Sequence, residues 1–325
     1  MTRIFFFLFI VISLHAQSSL PRSTPEAEGV NSEQIIKYLD AIAAQSKHEM
    51  HSIMIVRHGQ VITEGWWNPY RADLVHTMYS CSKSFTATAI GFAVVDKKIT
   101  VDDQVISFFP DKLPITVSDH LKKLKIKHLL SMTVGHTPDP TFSVAASEDW
   151  VKTFFEIAIQ DEPGTKFLYN SAATYMLSAI VQKVTGMKVI DYLKPKLFDP
   201  LGITGIDWEI DPQGINVGGW GLRIKTEDMA KFALLFLQKG KWNGKQILPA
   251  AWIEEASSSK IMQNPNASPE EKEKNDWVQG YAYQMWKSRH GYRGDGAFGQ
   301  YMLVLPELDA VIVITSETPD MQEEL

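Results

Sequence analysis

The chain has 325 residues and a formal net charge of −6 at pH 7, with 45 % hydrophobic and 22 % charged residues. Those proportions are ordinary for a globular protein, and the length suffices for two compact lobes around a sizeable core. The acidic balance, without a basic stripe, argues against nucleic acid as a partner, and a single cysteine, Cys81, excludes an intramolecular disulfide.

In chain order, the first 16 residues are expected to be a signal peptide. Arg3 precedes an apolar run over 4–14, and His15-Ala16 before Gln17 offers cleavage after Ala16. The run is too short to span a membrane. The mature chain, 17–325, is therefore expected to be periplasmic or secreted, with no membrane span. Asn31 can cap a helix bearing Ile35, Leu39 and Ile42, with Gln34 as reciprocal partner. His48-Glu49-Met50-His51 lacks the spacing of a His-Glu-x-x-His zinc motif and reads as a solvated helix end. Two strand patterns, 52–57 and 60–66, are joined by His58-Gly59, a tight hairpin signal. A loop over 68–77 then leads into Tyr79-Ser80-Cys81-Ser82-Lys83-Ser84 and an apolar run to Val95, a polar turn feeding a buried helix.

Helical patterns follow over 100–109, 121–130 (a surface helix by its lysines), 148–159, 172–184 and 189–197, so that Ser80 to about Pro200 reads as nearly all helical. Gly218-Gly219-Trp220-Gly221-Leu222-Arg223 is a glycine-rich loop before helices over 226–237 and 249–257. Strand patterns return at 281–287, 299–305 and 310–315. Strands at both ends with helices between predict an α+β fold: an antiparallel β-sheet flanked by helices, with an inserted all-helical lobe. The sheet lobe is placed at 28–77 plus 245–325 and the helical lobe at 78–244. Thr318-Pro319-Asp320 opens a helix that has barely one turn before Leu325, which reads as a chain cut short.

Ser80 and Lys83 are three apart and share one helical face. A serine hydroxyl attacks a carbonyl only when something takes its proton. A lysine that is buried near a helix N-terminus is pushed toward the neutral amine that can do so. Ser257-Ser258-Ser259-Lys260 matches the same pattern, but it lies at a frayed helix end beside a charged, solvated loop. Tyr169-Asn170-Ser171 follows a Pro-Gly turn and precedes an apolar helix. A tyrosine there could relay a proton if a lysine lowered its pKa from about 10. Gly294-Asp295-Gly296-Ala297 leads toward a strand, where glycines let a ligand approach the backbone. Cys81, flanked by serines, suits packing rather than thiol chemistry.

These three pieces, in this order, resemble the serine β-lactamase-like superfamily, in the branch of class C β-lactamases, D-aminopeptidases, family VIII esterases and 6-aminohexanoate-dimer hydrolases. The resemblance spans about Glu28 to Thr315 and extends to Leu129-Leu130-Ser131-Met132-Thr133 and Gly219-Trp220-Gly221-Leu222-Arg223. It implies Ser80 as nucleophile, Lys83 as its base, Tyr169 as proton relay, and the N–H groups of Ser80 and Ala297 as oxyanion hole. Ser171, Trp220, Arg223, Asp295 and Gly296 are the candidate substrate-binding residues. Two departures stand out. Asn170 comes one residue early, with Ser171 where the family's Tyr-x-Asn has asparagine. The family's Lys-or-His, Ser-or-Thr, Gly strand reads Gly294-Asp295-Gly296 here, so a cation that holds a substrate carboxylate is replaced by an anion unless Arg293 or Arg223 substitutes.

The sequence thus predicts an exported serine hydrolase acting on a small ester, amide or peptide through an acyl-serine intermediate, with no metal or organic cofactor implied. Neutral or amine-bearing substrates fit the charge. The alternatives are a penicillin-recognising binding or sensor protein, a β-lactamase or D-peptidase acting on cell-wall-type substrates, and a Ser-His-Asp hydrolase for which Lys83 is dispensable.

Overall fold

The computed structural model describes residues 19–325, and the expected signal peptide at 1–16 lies outside them. Six antiparallel strands form the main sheet: β1 (Glu49–Arg57), β2 (Gln60–Trp66), β3 (Trp286–Ser288), β4 (Gly291–Gly296), β5 (Gln300–Leu305) and β6 (Ala310–Glu317). Their spatial order is β2-β1-β6-β5-β4-β3, so early and late strands meet at the centre, Ile53 opposite Ile314. The β1–β2 turn has φ of 50° at His58 and 76° at Gly59, a left-handed pair that matches the twist of a two-residue hairpin.

Strands β1 and β6 are apolar on both faces because both faces are covered. On one face Met54, Val56, Met302, Val304, Val311 and Val313 join the main core. On the other, Ile53, Tyr301 and Ile314 meet Tyr38 and Leu39 of helix α1 (Ser32–Ala43). Asn31 caps α1 by accepting the Glu33 N–H at 2.9 Å. Helix α2 (Ser82–Val95) is buried all round from Ser82 to Ala93, which makes it the central rod of the molecule. Helix α3 (Ser171–Thr185) packs along it and ends at Gly186, whose φ of 74° closes the helix. Helix α4 (Thr226–Leu237) lies across β1, β5 and β6, and its Phe232 stacks on Phe85 of α2 at 3.8 Å between centroids.

Several expectations are corrected. The helical lobe was to run to 244, yet α4 covers the sheet, because Phe232 and Phe236 need an apolar face to bury against. The surface helix expected over 121–130 is two short helices, Asp119–Lys123 and Ile126–Leu130, with Leu121, Leu124, Ile126, Leu129 and Leu130 all buried. Residues 100–109 yield only the 3₁₀ turn Val105–Phe108. The helix over 189–197 stops at Leu193, giving way to a wider π turn at Lys194–Phe198 around Pro195, which has no N–H to donate. Periodic apolar residues record burial, and loops pressed on a core show the same spacing as helices. The strand expected over 281–287 shrinks to Trp286–Ser288, while the glycine-rich stretch before residue 299 is itself strand β4. His48 and His51 are not a solvated helix end. They are buried at the start of β1, His48 Nδ1 2.5 Å from Thr318 Oγ1 and His51 Nδ1 2.9 Å from His76 Nε2.

Candidate active site

Ser80 sits in a single 3₁₀ turn, Tyr79–Cys81, just before α2. Tyr79 has φ of 43°, a left-handed conformation that costs a bulky residue of order 1 kcal/mol. Hydrogen bonds fasten the turn: the Met78 N–H donates to the Leu222 carbonyl at 2.9 Å, and the Leu222 N–H to the Ser82 hydroxyl at 3.2 Å. Ser80 remains partly exposed, while Lys83 in the first turn of α2 is only 1 % exposed.

Lys83 Nζ reaches three oxygens: the Gly219 carbonyl at 2.6 Å, Ser171 Oγ at 2.8 Å and Ser80 Oγ at 3.1 Å. Burial pushes its pKa down to about 7, and the Asp139 carboxylate opposes that only in part. A neutral amine has two N–H groups and one lone pair. The Gly219 carbonyl can only accept, so one N–H goes there. The second serves Ser171, and the lone pair is left for the Ser80 hydroxyl. The close approach of Gly219 depends on its missing side chain, since a Cβ would lie 3.0 Å from the Ser171 carbonyl and 3.6 Å from Lys83 Nζ.

Tyr169 immediately precedes the cap of α3. Lys83 Nζ lies 5.0 Å from its ring centroid, and the Ser80 side chain is near enough to act on the phenol's proton affinity. Trp286 stacks on the ring at 5.5 Å and 20°. The expected lowering of its pKa is overturned. Burial pushes the phenol well above its ordinary value, and the nearby Asp295 carboxylate adds to this. Lys83, itself driven toward neutrality, supplies little opposing charge. Burial therefore favours the protonated phenol, a form that can donate.

Asn170 takes no part in this cluster. It caps α3, its side chain accepting the Ala173 N–H at 3.0 Å, and its amide nitrogen lies 3.2 Å from His136 Nδ1. Ser171 is the residue that meets Lys83.

On the opposite wall, Gly296 allows β4 to close on the Ser80 turn. A Cβ there would lie 2.3 Å from the Met78 carbonyl oxygen and 2.9 Å from Gln300 Cβ. One residue beyond Ala297, the Phe298 ring meets the Tyr79 ring at 5.3 Å. Cys81 is fully buried and donates to the Gln300 carbonyl at 3.3 Å, in keeping with a packing role.

Asp295 is not the unneutralised anion that the sequence suggested. Arg293 Nε donates to both its oxygens, at 2.9 and 3.1 Å, deep inside the protein. Burial still raises Asp295 to about 6 against the pull of the guanidinium. Arg293 itself is fully buried beneath the Trp277 ring, 4.8 Å from its centroid. Arg223 is ion-paired with Asp207 at 2.7 Å, facing outward from the short strand Leu222–Ile224. Neither arginine stands free to hold a substrate carboxylate. Trp220 is half-buried, with its ring 5.8 Å from that of Trp150 and its carbonyl accepting the Trp208 indole N–H at 2.8 Å, so its contacts are with that aromatic cluster.

Two residues near the cluster escaped the sequence. Asp139, within Thr137-Pro138-Asp139-Pro140, acts electrostatically on both Lys83 and Tyr169. Its Oδ1 accepts the Thr141 N–H and hydroxyl at 3.1 and 2.7 Å, and Thr141 Oγ1 accepts the Ala172 N–H of α3 at 3.1 Å. A carboxylate between two prolines signals a rigid loop, but nothing in spacing ties it to Ser80. Trp286 was seen only as a strand residue. An apolar groove lined by Tyr38, Ile55, Leu303 and Ile312 lies on the outer sheet face away from Ser80, so concavity alone does not mark this site. Among the described residues no cluster of His, Cys, Asp and Glu could hold a metal ion, and no helix is long and apolar enough to cross a membrane.

Comparison with known proteins accords with this geometry. The Beta-lactamase family profile matches residues 35–324. A 6-aminohexanoate-dimer hydrolase from Paenarthrobacter ureafaciens is 24 % identical over 292 residues, covering 83 % of this chain and 73 % of its own. Penicillin-binding protein 4 of Amycolatopsis lactamdurans is 26 % identical over 274 residues, covering 72 % of this chain and 70 % of its own. The solved structure of an octameric penicillin-binding protein homologue from Pyrococcus abyssi has a TM-score of 0.70 at 20 % identity, over 89 % of this chain and 74 % of its own. With a family match running through nearly all the described residues and the same sheet-and-helix architecture, the chain belongs to the Beta-lactamase family of serine β-lactamase-fold hydrolases.

Proposed function

We propose that this protein is an exported serine hydrolase that cleaves an ester or amide through an acyl-serine intermediate. The observation that carries this reading is the buried Lys83 amine, fixed at 2.6 Å by the Gly219 carbonyl and 3.1 Å from Ser80 Oγ. Ser80 attacks the carbonyl carbon as Lys83 takes the hydroxyl proton. The N–H groups of Ser80 and Ala297 stabilise the oxyanion. Tyr169, a phenol kept protonated by burial beside Lys83 and Ser80, supplies a proton to the leaving group. Lys83 returns the proton it took from Ser80 to the Tyr169 phenolate, then takes one from the water that attacks the acyl carbon and gives it to Ser80 as the acyl bond breaks.

Substrate charge follows from the carboxylates. Asp139 is exposed beside the cluster, and Arg293 and Arg223 are already paired. A substrate carboxylate 4 Å from Asp139 would be repelled by about 1 kcal/mol in water and by more where water is thinned out. Neutral or amine-bearing esters and amides are favoured. The similarity to a 6-aminohexanoate-dimer hydrolase supports an amide-cleaving reading. Export rests on the segment before Gln17.

The test uses the purified protein with Ser80→Ala and Lys83→Ala variants, a fluorophosphonate probe and short-chain chromogenic esters. Labelling and turnover are lost in Ser80→Ala and strongly reduced in Lys83→Ala. Labelling that survives Ser80→Ala rules the reading out. Stoichiometric acylation without turnover assigns instead a binding or sensor protein, the reading that likeness to a penicillin-binding protein would support.

A further inference from the structure

We infer that the ring contact between Tyr79 and Phe298 is a positioning device that sets the width of the oxyanion hole, an inference that rests on reading Ser80 as the nucleophile. Tyr79 directly precedes Ser80, and Phe298 directly follows Ala297. The two aromatic residues therefore bracket the two N–H groups assigned to the oxyanion. Both have left-handed backbones, with φ of 43° at Tyr79 and 65° at Phe298. Bulky side chains rarely adopt that conformation, and where they do the surroundings must enforce it. The rings meet edge to face, 5.3 Å between centroids at 67°.

Burial does not account for Phe298, which keeps 48 % of its surface exposed. An exposed phenylalanine in a strained conformation gains little from the core. Each loop is also fastened to its own support. The Ser80 turn hangs from Leu222 through the Met78 N–H. The 297–299 turn hangs from the end of β6, where the Phe298 carbonyl accepts the Thr318 N–H and the Ser316 hydroxyl, both at 3.1 Å. Those bonds hold each loop separately and leave the gap between them unset. Beneath the site the gap is spanned by the approach of Gly296 to Met78 and by the Cys81–Gln300 bond. At the mouth it is spanned by the ring pair. Oxyanion donors act only when both lie within hydrogen-bond reach of one oxygen. A contact that fixes their separation therefore acts on the transition state and leaves ground-state binding unchanged.

The experiment compares Phe298→Asn and Phe298→Tyr with the parent protein, after fluorophosphonate labelling has established Ser80 as nucleophile. Asparagine tolerates the left-handed backbone, so Phe298→Asn removes the ring and keeps the turn. With chromogenic esters of short and long acyl chains, Phe298→Asn lowers kcat by roughly 10- to 100-fold, below the roughly 10²- to 10³-fold cost of deleting an oxyanion donor outright. KM stays within about twofold for every chain length, as expected when only transition-state binding is lost. Phe298→Tyr, which keeps the edge-to-face contact, restores kcat. An unchanged kcat in Phe298→Asn overturns the inference. So does an effect confined to KM that grows with acyl length, because the ring would then be a wall for the substrate. Either result leaves the assignment of Ser80 intact, whereas failure of Ser80 to be labelled counts against that assignment alone.

Discussion

The Lys83 amine lies closer to the Gly219 carbonyl, at 2.6 Å, than to the Ser80 hydroxyl, at 3.1 Å. A backbone acceptor on a glycine-rich loop thus fixes the amine, and the Ser80 hydroxyl takes up its remaining position. Because burial brings the Lys83 pKa to about 7, the neutral, proton-accepting form prevails above that pH. The expected kcat/KM for a short ester falls about tenfold per pH unit below 7 and levels off above it. A rate profile from pH 5 to 9 checks this, and a flat acid limb would exclude Lys83 as the base.

The same shift has a consequence for stability. The folded protein releases the Lys83 proton near pH 7, while the unfolded chain keeps it to about 10.5. Between those values the unfolded state binds more protons, so stability rises with pH across the window and the full cost of the buried ammonium is felt below 7. Lys83→Met therefore raises the unfolding temperature, and raises it more at pH 6 than at pH 10. Thermal melts of both proteins at the two pH values measure the difference.

Tyr169→Phe removes the proton donor and keeps the ring between its aromatic neighbours. Turnover of an amide or ester falls by roughly 10²- to 10⁴-fold. Fluorophosphonate labelling of Ser80 is reduced far less, because fluoride departs without needing a proton. Equal loss of labelling and turnover would mean that Tyr169 orients Ser80 and does not relay a proton.

Gly296→Ala places a methyl group 2.3 Å from the Met78 carbonyl oxygen, which forces β4 and the Ser80 turn apart. A stability loss of about 1–3 kcal/mol is expected from such overpacking, together with near-complete loss of turnover as Ala297 moves away. Urea unfolding and ester kinetics on the same sample test both. Retained activity would place the second oxyanion donor elsewhere.

Arg293→Met leaves the buried Asp295 carboxylate without its cation and costs about 3–5 kcal/mol at pH 8. The loss shrinks on acidification, because an unpaired, buried Asp295, already raised to about 6 beside the guanidinium, takes up a proton and becomes neutral. Combining Arg293→Met with Asp295→Leu recovers most of the stability. A double variant as unstable as the single one would show that Arg293 acts through its bonds to the Lys287 carbonyl and the Ser288 hydroxyl.

The sequence by itself determined the strand-helix-strand order, the β1–β2 hairpin at His58-Gly59 and the extents of α3 and α4, and it singled out Ser80, Lys83 and Tyr169, which the fold places together. Each of these is written locally: alternation makes a strand, three-residue spacing puts two side chains on one face, and Gly186 stops a helix because its backbone turns left. Its second Ser-x-x-Lys lies at the surface, where Lys260 Nζ donates to Ser258 Oγ at 3.0 Å. Only the tertiary structure decided the rest. It showed that Asp295 arrives with a buried cation, that Asn170 is a helix cap while Ser171 meets the lysine, that Tyr169 is raised in pKa, and that Asp139 faces the site. Those outcomes depend on which distant segments share a dry interior. Charge, proton affinity and hydrogen-bond partnership are set by neighbours in space, and adjacency in the chain does not encode them.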